Sequence, residues 1–401
     1  MEHRVFDVIV VGARCAGAPT AMLLARAGYS VLILEKARFP RDIMSSHYIH
    51  QPGVALLDRW GLLDKLRATD VQPLDRVIYH VGDDIRLEGC SLPADGHRTA
   101  YAPRRFVLDP ILAEGAVDAG AELREGCQVT DLIFEDDRVA GVKYRVSDGS
   151  EITERARLVV GADGMRSVVA RLVDAKTLVE DAPLTCTYYS YWEGLPAEFE
   201  LYDKPNRWVG VIPTNGGRTL VMAYFPQSEF NEVRRAAGPA FVENVRTTAP
   251  EVYERMAGAE QAERLYGTGE QLNFLRQPSG PGWALVGDAA HHKDSIAARG
   301  IMDAFIQAQL LANRIGDDLH DEARLRKALR RYARNFDSQF MDFYRSTLTV
   351  AELRVPESKL DLFRAIADDQ DRIDRYFATL SGAIDVGDFY NADLLARLAR
   401  T

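Results

Sequence analysis

The sequence predicts an α/β protein: a parallel-sheet domain interleaved with an antiparallel sheet and followed by a helical C-terminal region. Three observations carry this reading. The chain opens with a strand, a glycine-bearing turn and a helix in "FDVIVVGARCAG". Strand-to-glycine turns recur in "LVVGADG" and "WALVGDAA". Between them, "TCTYYSYWEG" alternates and is aromatic, as an antiparallel strand does.

The opening run "FDVIVVG" is almost wholly apolar, which fits a strand covered on both faces. Residues 16–27 follow with helical spacing through Ala21, Leu24 and Ala25, and Gly28 is a helix stop. "YSVLILEK" then reads as a second strand ending in Glu35. In such a βαβ unit an acidic residue about 20 positions past the glycine loop can accept hydrogen bonds from a ribose. Arg14 stands where the middle glycine of a dinucleotide loop belongs. An anion site survives if its side chain points away and nearby amides with the helix N-terminus face the phosphate. A tight turn with no ligand explains the segment alone, so distant motifs must decide.

At 401 residues the chain exceeds one typical domain, so two domains sharing an interface are expected. A net charge of −10 argues against nucleic acid or an anionic membrane surface as partner. The basic run "RLRKALRRYARNF" reads as the solvated face of a helix. Cys15, Cys90, Cys127 and Cys186 form no CxxC pair, which fits reduced thiols and no metal site. The start "MEHRVFD" leaves no room for a signal peptide, and no apolar run reaches spanning length. A soluble cytoplasmic protein without membrane insertion, monomer or homodimer, is therefore expected.

Two distant segments complete the pattern: "LVVGADGMRSVVAR", residues 158–171, and "WALVGDAAHHKDSIAARGIMDAFIQAQLLA", residues 283–312. With "VLDPILAEGAVDAGAEL" and Arg105 just ahead of it, they resemble the ordered FAD signatures of the para-hydroxybenzoate hydroxylase-like flavoproteins. That superfamily holds single-component aromatic hydroxylases, geranylgeranyl reductases and flavin-dependent halogenases. The likeness covers roughly residues 5–320.

The resemblance implies a Rossmann-like FAD-binding domain in three parts, residues 1–75, 101–175 and 276–330. It implies a substrate domain from residues 76–100 and 176–275, and a helical region over 331–401. It implies non-covalent FAD, held by Gly12, Ala13, Cys15, Ala16 and Gly17 at the pyrophosphate and by Glu35 with Lys36 at the adenosine ribose. Arg105 lies against the flavin chain or pyrophosphate. Asp163 and Gly164 close a turn beside the flavin, while Gly287 and Asp288 grip its ribityl or ribose hydroxyls. Ala298, Gly300 and Ile301, with the helix dipole behind them, face negative charge that develops at flavin N1 when the ring is reduced. Arg299 in that segment, with His47 and His50 as proton relays, completes the catalytic candidates. Packing explains either histidine as well. Ser295 replaces a common proline and Ala297 a glycine, both beside the ring.

His291 reads as a buried, hydrogen-bonded structural residue. Tyr189, Tyr191, Trp208 and Phe225 are candidates for a flat apolar pocket over the flavin, although strand-core packing accounts for each singly. The function implied is an NAD(P)H-dependent monooxygenase that oxygenates a small aromatic substrate with O2 through a flavin C4a-hydroperoxide, NAD(P)H being a transient co-substrate. A carbon–carbon double-bond reductase resembling geranylgeranyl reductase is the alternative. A flavin-binding protein that senses or docks without turnover is a third. A halogenase is disfavoured, because no lysine occurs between Lys65 and Lys143, where that group places one. "RWVGVIP" also lacks its second Trp, having Gly210 instead.

Overall fold

A computed structural model describes residues 5–398. Residues 1–4, on which the expected absence of a leader partly rests, and residues 399–401 lie outside the described residues. In chain order the first unit is β1 (Val5–Val11), α1 (Gly17–Arg26) and β2 (Val31–Glu35), then α2 (Gln51–Arg59), β3 (Val77–Val81) and β4 (Ile85–Gly89). Next come α3 (Arg105–Asp118), β5 (Glu122–Glu125), β6 (Gln128–Glu135), β7 (Arg138–Arg145) and β8 (Glu151–Gly161). The middle of the chain supplies β9 (Thr185–Glu193), β10 (Phe199–Lys204), β11 (Arg207–Pro213) and β12 (Arg218–Pro226). β13 (Trp283–Leu285), α4 (Gly300–Ile315) and α5 (Glu322–Ala351) follow, and α6 (Glu357–Ile366) and α7 (Gln370–Ser381) lie near the end.

β1 is apolar because both its faces are covered: Val8, Ile9 and Val10 are fully buried. It pairs in parallel with β2 on one side and β8 on the other, and β8 pairs in parallel with β13. All three glycine turns therefore leave the same end of one sheet, the end at which open parallel sheets bind ligands.

The second sheet runs in the order β9, β12, β11, β10, β3, β4. β3 joins it in parallel beside β10, so residues 77–89 interleave with residues 185–226. Side chains alternate between its two faces. Tyr189, Tyr191, Trp208 and Met222 pack toward the C-terminal helices, in one core with Phe363, Ile366 and Phe377. Cys186, Tyr188, Val211 and Phe225 pack on the other side, with Phe241 and Val245. This corrects the expectation for Phe225: it faces away from Tyr189, Tyr191 and Trp208 because it is one residue out of step with them.

α5 begins at Glu322, ahead of residue 331. Its buried stripe, Leu325, Leu329, Tyr332, Phe336 and Phe340, joins the core of the first sheet, and the basic residues of its first turns stay on the solvent side. α6 and α7 then close over the second sheet. Lys359 on α6 reaches Asp203 on β10, which also accepts from Tyr79 Oη on β3 at 3.0 Å.

Candidate functional site

Where the three glycine turns converge lies a cavity of about 560 Å³. Gly12 has φ +100°, and a Cβ there would stand 2.5 Å from the Ala162 carbonyl oxygen, so no other residue fits this turn. Gly17 plays a different part from the one expected. It does not line the cavity; a Cβ on it would meet the Gly12 carbonyl oxygen at 1.8 Å, so its smallness seats α1 on the loop. Glu35, buried at the end of β2, accepts from the amides of Ala13 and Ala37, each at 2.9 Å. The Ala13 amide is thus spent on Glu35 and is not offered to a phosphate. Gly12, Cys15, Ala16, Glu35 and Lys36 do line the cavity.

Arg14 does not turn away. Its Nη1 sits 3.2 Å from Asp109 Oδ2 and its side chain forms part of the cavity wall. Arg105, one helical turn before Asp109 on α3, grips the same carboxylate at 2.7 and 3.1 Å. Two guanidinium groups thus share one fully buried carboxylate, leaving an excess positive charge beside the loop.

On the opposite wall, Asp163 accepts from Ser167 Oγ and the Val168 amide, both at 2.6 Å, and fixes the turn in which Gly164 has φ +83°. The Gly287 amide donates to Gln307 Oε1 at 2.6 Å, and Asp288, half-buried, lines the cavity. Ahead of α4, Ala298 takes a left-handed φ of +53°, an unusual place for a side chain with a Cβ. Ser295 bonds Tyr224 Oη and Gln271, which ties this turn to the second sheet. Behind it is a cluster that sequence reasoning missed. Lys293 pairs with Asp303, and Arg299 Nε lies 3.6 Å from Asp303 Oδ1, all three being buried. Burial alone would raise the Asp303 carboxyl, but Lys293 and Arg299 outweigh it and hold the group below its ordinary range. No local pattern in "HHKDS" marks Lys293 as buried, since its partner is on the next helix.

The histidines divide. His47 Nε2 is 2.5 Å from Tyr191 Oη, and Arg104 stacks 3.8 Å over the Tyr191 ring. Burial, with Arg104 and Arg105 nearby, keeps His47 far below its usual titration range and therefore neutral. His50 is neutral too, pushed down to about 3 by burial and then by Arg299; its Nε2 lies 3.3 Å from the Ala297 carbonyl oxygen. His291 is buried as expected but not hydrogen-bonded: neither ring nitrogen has a partner, and Phe336, Phe340 and Tyr344 enclose it.

A second cavity of about 1000 Å³ opens between the second sheet and the C-terminal helices. Tyr48, Phe199, Trp208, Met222, Ile306 and Phe377 give it an apolar wall. Of the four expected pocket aromatics only Trp208 lines it. Tyr189 and Tyr191 share its face of the sheet but lie outside the lining, Tyr191 being held by His47 and Arg104. Ser295, Ala298, Arg299 and Asp303 line both cavities, so the turn ahead of α4 is the partition between them.

A family described as FAD binding domain matches residues 5–335. The chain belongs to this FAD binding domain family. Its geometry suits the dinucleotide independently. Gly12, Cys15 and Ala16 of the glycine turn, buried Arg105, and Gln307, whose Nε2 has no hydrogen-bond partner, all border one cavity. The flavoprotein is similar to digeranylgeranylglycerophospholipid reductase 1 of Methanopyrus kandleri, 28% identical over 89% of this chain and 92% of that protein. In fold it is similar to the flavin-dependent brominase Bmp2, with a TM-score of 0.79 and 19% identity, covering 99% of this chain and 98% of that one. It is also similar to PqsL of Pseudomonas aeruginosa, described as a probable FAD-dependent monooxygenase, with a TM-score of 0.70 and 19% identity over 93% and 100% of the two chains. Among the described residues no helix is long and apolar enough to cross a membrane, and no cluster of His, Cys, Asp or Glu could hold a metal.

Proposed function

We propose that this FAD-dependent oxidoreductase is a monooxygenase: NAD(P)H + H⁺ + O2 + R–H give NAD(P)⁺ + H2O + R–OH, with R–H held in the second cavity. FAD, when bound, supplies hydride acceptance and oxygen activation. The chain's own residues do the rest. Glu35 and Lys36 hold the adenosine ribose, Gly12, Cys15, Ala16 and Arg105 the pyrophosphate, and Asp163, Gly164, Gly287 and Asp288 the flavin chain. The amides of Gly300 and Ile301, with Arg299, would serve the ring, whereas the Ala298 amide, expected there too, is taken by the Ser295 carbonyl at 2.9 Å. His47, neutral and bonded to Tyr191, is placed to pass a proton, while His50 braces the Ala297 carbonyl.

The observation that carries the oxygenase reading is the chemistry of the partition. Asp303 is held ionised by two cations and neighbouring His50 is held neutral, while the adjacent carboxyl that burial raises, Asp294, is bonded to Thr185 Oγ1 and the Ile296 amide and lines the first cavity rather than the second. Reduction of a carbon–carbon double bond needs an acid to deliver a proton to the second carbon. Oxygen transfer to an electron-rich carbon needs no such acid from the partition. A second reading, the carbon–carbon reductase, draws on the volume of the second cavity and on the likeness to the Methanopyrus reductase. NADPH loss and O2 uptake, followed together with a product assay, separate the two. Oxygen consumed in step with product supports the monooxygenase; substrate reduction under anaerobic conditions replaces it with the reductase.

A further inference from the structure

The loop "GARCAG", residues 12–17, keeps the first and last glycines of a dinucleotide turn, and packing occupies both. Gly12 is required by its φ of +100° and by the Ala162 carbonyl beside it, and Gly17 by the Gly12 carbonyl. The glycine that lets backbone come close to a pyrophosphate is the one Arg14 replaces. The loop has lost a second means of holding phosphate, because the Ala13 amide is spent on Glu35 at 2.9 Å. A side chain at position 14 must then either obstruct the anion or bind it.

Asp109 decides between these. Fully buried on α3, it accepts from Arg105 Nε and Nη2 and, at 3.2 Å, from Arg14 Nη1, which draws the Arg14 side chain off the loop and onto the cavity wall next to Arg105. Arg14 spends only Nη1 there. Among the described residues its Nε and Nη2 have no hydrogen-bond partner, and the side chain keeps 21% of its surface, against 9% for Arg105 and none for Asp109. Its remaining donors are therefore open to a ligand. Cys15, whose thiol lies 3.6 Å from Asp109 Oδ1, adds no negative charge, since burial pushes it up to about 12. Two guanidinium groups, one carboxylate and a neutral thiol leave one positive charge at the loop.

We infer that Arg14 is a ligand of the FAD pyrophosphate: held by Asp109, its guanidinium replaces the close backbone approach of an all-glycine loop and forms a two-cation clamp with Arg105. This rests on the first cavity being the FAD site. It also reverses the sequence expectation that the side chain points away, and it makes cofactor affinity depend on an exposed charge that salt can screen.

The test purifies the holoprotein as wild type, Arg14→Gly and Arg14→Lys, separates free from bound FAD by ultrafiltration after serial dilution, and obtains dissociation constants at low and high salt. Arg14→Gly restores the glycine of the dinucleotide loop, yet it should bind FAD about tenfold or more weakly at low salt, the usual effect of losing a charged hydrogen bond. The gap from wild type should narrow at high salt, and Arg14→Lys should recover part of the loss by restoring charge without the planar fork. Unchanged or tighter FAD binding by Arg14→Gly overturns the inference. So does a loss that is equal at both salts and not recovered by lysine, which would mark Arg14 as a packing residue. If Arg14→Gly does not fold, Arg14→Met, which keeps most of the stem, takes its place in the same comparison. A wild-type protein that binds no FAD removes the cofactor assignment itself, whereas a yellow wild type with an unaffected Arg14→Gly removes only the role of Arg14.

Discussion

Asp294 sits at the entrance to the partition, 2% exposed, accepting from Thr185 Oγ1 at 2.7 Å and from the Ile296 amide at 3.1 Å. Burial outweighs those bonds and pushes its carboxyl from 3.8 up to about 6. Between these values the folded protein binds the proton that the unfolded chain has released, so stability falls as pH rises through this window. Above pH 6 the cost is fully present, and below pH 4 it is absent. Asp294→Asn should therefore raise unfolding stability by about 1–3 kcal/mol at pH 7.5 and change it little at pH 4. Urea unfolding at both pH values checks this, and an equal gain at both would contradict it. Asp288 tests the cofactor side. A charged hydrogen bond to a ribityl hydroxyl is worth roughly 1.5–3 kcal/mol, so Asp288→Ala should weaken FAD binding about ten- to a hundredfold. The flavin-to-protein absorbance ratio after purification without added FAD gives the answer; full loading removes Asp288 from the site.

At the scale of the element, α4 presents its N-terminus to the first cavity, and the buried charges at its start decide what that end favours. Asp303 in its first turn opposes the dipole's positive end, while Lys293 and Arg299 more than offset it and leave one net positive charge. On the proposed reading this charge favours the reduced, anionic flavin. Lys293→Met should lower the midpoint potential and Asp303→Asn should raise it, each by a several-fold change in the ratio of oxidised to reduced affinity. Spectroelectrochemical titration of both variants is the measurement; shifts of the same sign would mark the pair as structural. How legible this was in the sequence depends on distance along the chain. β1, α1 and β2 were readable because their signals are local: an apolar run, helical spacing and a stop glycine. Gly12 was readable because a strand-to-helix turn demands its φ. Arg14 was misjudged because its partner, Asp109, lies 95 residues away, and Phe225 because its facing depends on the strand's phase and on which layers cover the sheet. Lys293 gave no sign at all, since a lysine in a turn looks solvent-bound until the next helix closes over it.

At the scale of the whole molecule, α6 and α7 close the second cavity by lying over the second sheet, and their sequence shows apolar spacing without showing where it docks. α7 is tied by Gln370 Nε2 to the Glu88 carbonyl and by Asp374 Oδ1 to the Cys90 amide, and α6 by a buried ionic tie. Asp203, 3% exposed on β10, takes Lys359 Nζ from α6 and Tyr79 Oη from β3, with Tyr79 Oη also 3.0 Å from Lys359 Nζ. Phe363 meets the same tyrosine edge to face and Tyr376 stacks on it, so the tie and the apolar contact act at one point. Removing one partner of a buried ion pair costs about 3–5 kcal/mol because the other charge is left uncompensated. Lys359→Met keeps most of the apolar stem and deletes the charge, so the loss should fall on the docking of α6 and α7 rather than on the first sheet. The expected result is faster limited proteolysis around residues 352–357, with flavin content unchanged, because no residue of this tie lines the first cavity. Restoring the cation with Arg in place of Lys should return proteolysis to the wild-type rate. If Lys359→Met instead releases flavin as readily as it loosens the helices, the two cavities are coupled through the C-terminal region, and the partition at Ser295 to Asp303 is not the only link between them.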